Sequence, residues 1–217
     1  MPETPSQWHA EVLPDGWARA MADLAARSAL SGFYLAGGTG LALSLGHRRS
    51  VDLDVFGESE FESTGLRDRL RNLEGLRKLE TAPGTVHLEL HDVKVSFLHY
   101  PYPLLFPTRT FDVLDVADPR DIACMKLDVV ANRGSRRDFV DLYEAARIYG
   151  LHELLEWFTR KYQAVSYNRT HLFKALTYFR DAEQQPMPDM LVPLTWDEVR
   201  AFFLKETPRL IGTEWRE

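Results

Sequence analysis

At 217 residues the chain holds about one and a half domains' worth of sequence at the usual ~150 residues per domain, so it is one domain with an appendage or two small ones packed together. Its 45% hydrophobic content supplies a core, yet no apolar run approaches the ~18 to 20 residues that cross a bilayer. With 26 basic against 32 acidic residues, the net charge of −6 excludes broad wrapping of nucleic acid by phosphate neutralisation, and any such contact must be local.

In chain order, Met1-Pro2-Glu3-Thr4-Pro5 has no basic region followed by an apolar stretch, which predicts a chain without a secretory signal that stays in the cytoplasm. Asp15 and the helical recurrence of Trp17, Met21, Leu24 and Ala25 predict a capped helix over 14–30. The short apolar run 33–36 is stopped by Gly37-Gly38, after which 39–45 reads as a helix closed by Gly46. Residues 51–56 alternate strictly, the period-2 mark of a strand that buries Val51, Leu53 and Val55 on one face. An arginine-rich helix is expected around 66–73. Strands are expected over 76–81, 86–90 and 93–98, the last two joined by a turn near His91-Asp92.

From Asp118 the period becomes helical. Asp118-Pro119 is an N-cap with proline at the first helical position of a helix over 119–132, stopped by Gly134. Ser135 with Asp138 three residues on predicts a capping box for a helix that Gly150 ends. Further helices are expected over 151–162, 170–182 and 195–206, the last two joined by the rigid Gln185-Pro186-Met187-Pro188. Strands early and helices late predict an α+β fold: a core over 1–115 that includes the N-terminal helix, and a helical part over 116–217 that completes the site.

The segment richest in chemistry is Gly37-Gly38-Thr39 followed by Asp52-Leu53-Asp54. Carboxylates two apart on a strand share a face, their Cβ atoms ~6 to 7 Å apart. Such a pair can hold one or two Mg²⁺ ions, which take hard oxygen ligands together with phosphate oxygens, as phosphoryl and nucleotidyl transfer require. Upstream, glycines without Cβ atoms let backbone approach a phosphate, and the helix that follows offers free N–H groups to an anion. Either feature alone is also common in structural turns and solvent-facing strands.

On the helix over 119–132, Ile122, Met125, Val129 and Val130 form an apolar sector, with Arg120, Asp121, Asp128 and Ala131 opposite. Lys126 falls near the centre of the apolar sector. Its ammonium either snorkels to water or projects into a cleft and neutralises phosphate. Asp138 is explained by capping alone, and Asp141, at the border of the polar face, by simple solvation. His47, Arg48 and Arg49, like Arg133, Arg136 and Arg137, suit either a phosphate contact or a solvated rim. Tyr100 and Tyr102 can stack a base or pack on the sheet. Cys124 reads as a small buried hydrophobe, and the seven histidines lack zinc-ligand spacing.

The stretch Tyr34-Leu-Ala-Gly-Gly-Thr-Gly-Leu-Ala-Leu-Ser-Leu-Gly-His-Arg-Arg-Ser-Val-Asp-Leu-Asp-Val-Phe56 resembles the signature block of the nucleotidyl transferase AbiEii toxin family, within the DNA polymerase beta-like nucleotidyltransferase superfamily. Two further blocks resemble that family in the same order: Val93-Lys-Val-Ser-Phe-Leu-His-Tyr-Pro-Tyr-Pro-Leu-Leu105, and Asp121-Ile-Ala-Cys-Met-Lys126 through Arg137-Asp-Phe-Val-Asp-Leu-Tyr143. The resemblance implies a nucleotidyltransferase-like mixed sheet flanked by helices, with Mg²⁺ as cofactor and a nucleoside triphosphate as substrate. It implies Asp52 and Asp54 as metal ligands and Gly37, Gly38 and Thr39 on the triphosphate, with His47, Arg48, Ser50 and Ser96 as further nucleotide-binding candidates. Lys126, Asp138 and Asp141 join the two metal-binding aspartates as catalytic candidates. It also implies the toxin of a toxin-antitoxin pair, with a tRNA or other RNA acceptor, a cognate antitoxin protein and no membrane partner.

One position departs from the superfamily pattern. A third carboxylate is commonly supplied by a neighbouring strand, and on 93–98 the place for it is taken by Ser96, a weak neutral ligand and a poor base near pH 7. The base then comes from elsewhere, with Glu89 and Asp141 as candidates, or deprotonation falls to metal and water, or catalysis is weak. Two alternatives therefore stand beside an RNA acceptor: the same fold acting on a small molecule or protein, and a nucleotide- or partner-binding module that catalyses little.

Overall fold

The computed structural model describes residues 7–212, so Met1 to Pro5, read above for a signal, lie outside it. Seven strands form one mixed sheet: β1 (Tyr34–Leu35), β2 (Asp52–Gly57), β3 (Leu76–Ala82), β4 (Thr85–Leu90), β5 (Val93–His99), β6 (Arg109–Phe111) and β7 (Leu114–Val116), in the spatial order β3-β4-β5-β2-β1-β7-β6. The β2 strand runs parallel to β5 and antiparallel to β1, which pairs parallel with β7.

Alternation along the strands decides which face meets water. Leu53 and Val55 of β2, Val86 and Leu88 of β4, and Val95 and Phe97 of β5 are buried on one face against Met21 and Leu24 of α1 (Trp17–Ala26) and Leu66 and Leu70 of α3 (Ser63–Leu70). Each such side chain contributes about 1.5–3 kcal/mol when fully buried. The opposite face therefore carries Asp52, Asp54, Ser96 and His87. Its register is set by a two-residue turn: His91 and Asp92 both have positive φ, 52° and 65°, the primed geometry that suits a tight hairpin. Counting back from that turn pairs His87 with Ser96, and the β2–β5 ladder pairs Ser96 with Asp54.

Helices cover this second face and extend beyond it: α2 (Gly37–Leu45), α4 (Pro119–Arg133), α5 (Arg136–Tyr149), α6 (Leu151–Lys161), α7 (Arg169–Leu176), α8 (Arg180–Glu183) and α9 (Trp196–Gly212). The α4 helix is central, touching α2, α5, α6 and α7. It begins as the sequence predicts, Asp118 accepting the Arg120 N–H with Pro119 in the first turn, and α5 opens on the expected Ser135–Asp138 capping box. A second core of Phe139, Leu142, Trp157, Phe158 and Phe203 joins α5, α6 and α9.

Several expectations are corrected. The first helix starts at Trp17 with Gly16 as N-cap and no side-chain cap, so Asp15 does not cap it. Val51 lies outside the strand and is 61% exposed. The helix expected over 170–182 is broken into α7 and α8 at residues 177–179. Asp121 is not on a solvated face: it and Lys161 are fully buried and 2.8 Å apart, and Asp121 also receives the backbone N–H groups of Leu105 and Phe106. Lys161 donates in addition to the Pro103 carbonyl, so this pair pins the segment 103–106 against α4 and α6.

Candidate active site

The sheet face left free of the apolar core, the N-terminus of α2 and the α4–α5 corner enclose a cleft of about 780 Å³. Its lining includes Gly37, Gly38, Arg48, Ser50, Asp52, Asp54, His87, Ser96, Lys126, Arg133, Arg137 and Asp138. Asp52 and Asp54 stand on its floor because the β2 alternation sends Leu53 and Val55 the other way. Burial, with the charge of Asp52 beside it, pushes the Asp54 carboxyl above the ordinary carboxylate range, while a hydrogen bond with Ser96 and the charges of Lys126 and His87 pull it back.

The backbone of α2 reaches this floor closely. Gly37 has φ of 62°, a conformation that side chains rarely adopt, and a Cβ there would sit 3.1 Å from Oδ2 of Asp54. At Gly38 a Cβ would fall 2.3 Å from an Arg48 guanidinium nitrogen. Two glycines are thus required by what stands against them. Thr39 is buried and does not line the cleft; its hydroxyl bonds Ser50 Oγ at 2.7 Å and the Asp52 carbonyl, bracing the start of β2.

Beneath the cleft lies a buried set of charges. Asp141, with its side chain fully buried, receives Arg48 Nε at 2.6 Å and Arg48 Nη2 at 2.9 Å, His47 Nε2 at 2.9 Å and Lys126 Nζ at 2.7 Å. Lys126 also donates to Asp138 at 2.9 Å. Burial would push Asp141 up, but Lys126, Arg48 and the hydrogen bonds from Arg48 and His47 hold it well below the usual range. Burial would likewise lower Lys126, and Asp141 and Asp138 outweigh it and raise the ammonium. The two aspartates are matched by the two cations Arg48 and Lys126, so the charges of these four side chains balance.

This geometry redraws the expected roles. Asp141 is neither solvated nor open to the cleft, and so is not placed to take a proton from a substrate. His47 is buried against Asp141 and does not line the cleft. Arg48 reaches the cleft wall with its charge already engaged. Of the second arginine cluster, Arg133 and Arg137 line the cleft, Arg137 lying 3.8 Å from Asp52, whereas Arg136 turns away to the carbonyls of Ala182 and Glu183. Tyr100 lines the cleft and its hydroxyl meets that of Tyr162. Cys124 is buried as expected, and burial raises its thiol. Glu89, proposed from sequence as a base, lies outside the cleft lining beside Arg77.

Sequence reasoning missed His87, Asp128 and Gln185 in the cleft. The signal for His87 was present in the hairpin: the His91-Asp92 turn alone fixes its partner as Ser96. Among the described residues no group of three or more His, Cys, Asp or Glu side chains converges on one point. A Mg²⁺ ion needs only one or two carboxylates plus substrate phosphates, and the Asp52–Asp54 pair fits it, Asp54 being a crowded carboxyl whose charge a cation would offset. No helix among the described residues is long and apolar enough to cross a membrane.

Comparison with known proteins agrees with this geometry. Residues 19–102, which hold Gly37, Gly38, Asp52, Asp54, His87 and Ser96, match the profile described as nucleotidyl transferase AbiEii toxin, type IV toxin-antitoxin system. An uncharacterized protein of Aquifex aeolicus (strain VF5) is 37% identical over 180 residues, 80% of this chain and 85% of the relative. Among solved structures, MenT4, a nucleotidyltransferase toxin of Mycobacterium tuberculosis H37Rv, superposes with a TM-score of 0.53 at 16% identity, covering 96% of this chain and 92% of that one, which shows a common fold. A mixed sheet with an acidic pair on its open face, a glycine turn against that pair, and a profile match across both agree: the chain belongs to the nucleotidyl transferase AbiEii toxin family and is a nucleotidyltransferase.

Proposed function

We propose that this protein transfers a nucleotide from a nucleoside triphosphate to an RNA acceptor, tRNA being favoured, as the cytoplasmic toxin of a pair whose antitoxin restrains it. The observation that carries the transfer is the Asp52–Asp54 pair on the floor of a cleft rimmed by Arg133 and Arg137. Asp52 and Asp54 would hold Mg²⁺, which when bound offsets the negative charge of the polyphosphate. Gly37 and Gly38 leave room for phosphate against backbone, and the N-terminus of α2 favours an anion there. Arg137 and Arg133 supply the mobile positive charge; Lys126 and Arg48 shape the wall, their own charge matched by Asp138 and Asp141.

An RNA acceptor is supported by the local character of this basic rim on an acidic chain, and by the exposed aromatic Tyr178 beside Arg133, His171 and Lys174, a surface on which a base can stack next to phosphate contacts. The test is incubation with each α-labelled triphosphate, Mg²⁺ and total tRNA. Label on RNA supports the reading; label only on protein or on a small molecule replaces the acceptor, and no transfer from any triphosphate overturns it.

A further inference from the structure

In register across the sheet, Asp54 of β2 faces Ser96 of β5, Ser96 faces His87 of β4, and His87 faces Glu80 of β3. All lie on the face that carries the cleft, and His87 is exposed at its edge. Nδ1 of His87 is 3.1 Å from Ser96 Oγ, and Ser96 is the ladder partner of Asp54 on the neighbouring strand. Where a third acid would stand, the chain therefore has a hydroxyl linked to an imidazole.

The contact with Ser96 engages one ring nitrogen of His87 and leaves the other open. A hydroxyl accepts from an imidazole N–H, so this contact suits a ring that carries its hydrogen on Nδ1 and donates it to Ser96. In that arrangement Nε2 keeps its lone pair, and among the described residues it has no hydrogen-bond partner. An imidazole nitrogen open to the mouth of the cleft is a group that can take the proton of an attacking hydroxyl.

Other titratable groups in the cleft are engaged elsewhere. Asp138 is bound by Lys126 and Ser135, Asp128 accepts from Tyr167 and Asn132, and Asp141 is sealed beneath the floor. Asp52 and Asp54 are the cation-binding pair of the proposed reaction.

We propose that His87 is the catalytic base of this enzyme, taking the proton of the attacking hydroxyl, and that Ser96 is the positioning residue that holds its ring through Nδ1; this rests on the nucleotidyl-transfer reading above. In the step, the acceptor hydroxyl oxygen forms a bond to the α-phosphorus and the bridging bond between α-phosphorus and β-phosphate oxygen breaks. Pyrophosphate leaves with that electron pair, and the hydroxyl proton passes to His87 Nε2, giving an imidazolium that returns it to water. The row thus puts an imidazole in place of a third acid, which adds no further negative charge beside the triphosphate.

The experiment compares full-length wild type with His87→Ala, His87→Gln and Ser96→Ala in the labelled-transfer assay, with triphosphate binding followed by calorimetry. The expected result is that His87→Ala and His87→Gln lower kcat on the order of a hundredfold, the usual worth of a positioned base, with nucleotide affinity unchanged. Added imidazole should restore a measurable part of the His87→Ala rate. His87→Gln keeps a donor for Ser96 but no basic nitrogen, so wild-type kcat in that variant overturns the proposal, as does a loss in His87→Ala that imidazole leaves untouched while His87→Gln is fully active. Transfer by wild type that survives both substitutions sinks the base alone; absence of transfer by wild type sinks the nucleotidyl-transfer reading and this inference with it.

Discussion

Arg48 and Asp141, 93 residues apart in the chain, form a two-pronged ion pair under the cleft, with contacts of 2.6 and 2.9 Å. It ties the loop that leads into β2 to the helix that follows the α4–α5 corner. Asp141→Asn preserves the shape and removes the charge, leaving Arg48 and Lys126 to share Asp138. Breaking a buried pair on one side costs about 3–5 kcal/mol, and urea unfolding at neutral pH should show a loss of that size. A change below about 1 kcal/mol would mean that the buried set is not an anchor.

The same set gives stability a dependence on pH. Asp141 and Asp138 are held below the ordinary carboxylate value of 3.8, so the unfolded chain takes up their protons first as acid is added. Their contribution is complete above 3.8 and drains away as pH falls through the lowered folded values. Lys126 is raised above 10.5, and its contribution, complete below 10.5, is lost as pH rises through the folded value. Denaturant unfolding across a pH series should show both losses, and Asp141→Asn should flatten the acid limb.

Asp52→Asn and Asp54→Asn should each lower nucleotide transfer by at least about a hundredfold, because metal charge stabilisation is worth several kcal/mol and 1.36 kcal/mol is a factor of ten. Neither side chain is part of the apolar core, so the melting temperature should stay within a few degrees. A chelator should abolish transfer by the wild type and Mg²⁺ should restore it. Full activity in Asp52→Asn would end the cation-binding assignment.

At Gly38 the added methyl of Gly38→Ala would overlap the Arg48 guanidinium, whose nitrogen lies 2.3 Å from the ideal Cβ position. Arg48 must then shift within its contacts to Asp141. Expected are a loss of transfer and a stability loss of about 1–3 kcal/mol, the range for an overpacked site. Wild-type activity and stability together would show that Arg48 is free to move.

Arg137 is 58% exposed and 3.8 Å from Asp52. Arg137→Ala should raise the KM for triphosphate a few-fold, with little effect on kcat. Exposed charge is screened by ions, so the difference between variant and wild type should narrow as salt is raised. An unchanged KM at low salt would remove Arg137 from the phosphate site.

Much of the floor was legible because β2 obeys a period that exists in sequence: Asp52 and Asp54 share a face as soon as 51–56 is read as a strand. Caps were legible for the same local reason, Ser135 and Asp138 being three residues apart on one turn. Asp141 and Asp121 were misplaced because helical periodicity treats every carboxylate as a solvent-facing group, and their partners, Arg48 and Lys161, are distant in the chain. The β6–β7 hairpin escaped because strands of three residues contain no period to detect. The single helix expected over 170–182 failed at Thr177–Phe179, where no glycine or proline marks the break. His87 was hidden only by reading strands singly, since its relation to Ser96 resides in the pairing.

The Asp121–Lys161 pair that pins 103–106 is dry and neutral, whereas the arginines at the rim stand in solvent. Dissolved ions reach the second and not the first. Raising ionic strength should thus weaken the grip on a polyphosphate while the wall behind it keeps its shape, which makes salt a control over substrate affinity that leaves the fold alone.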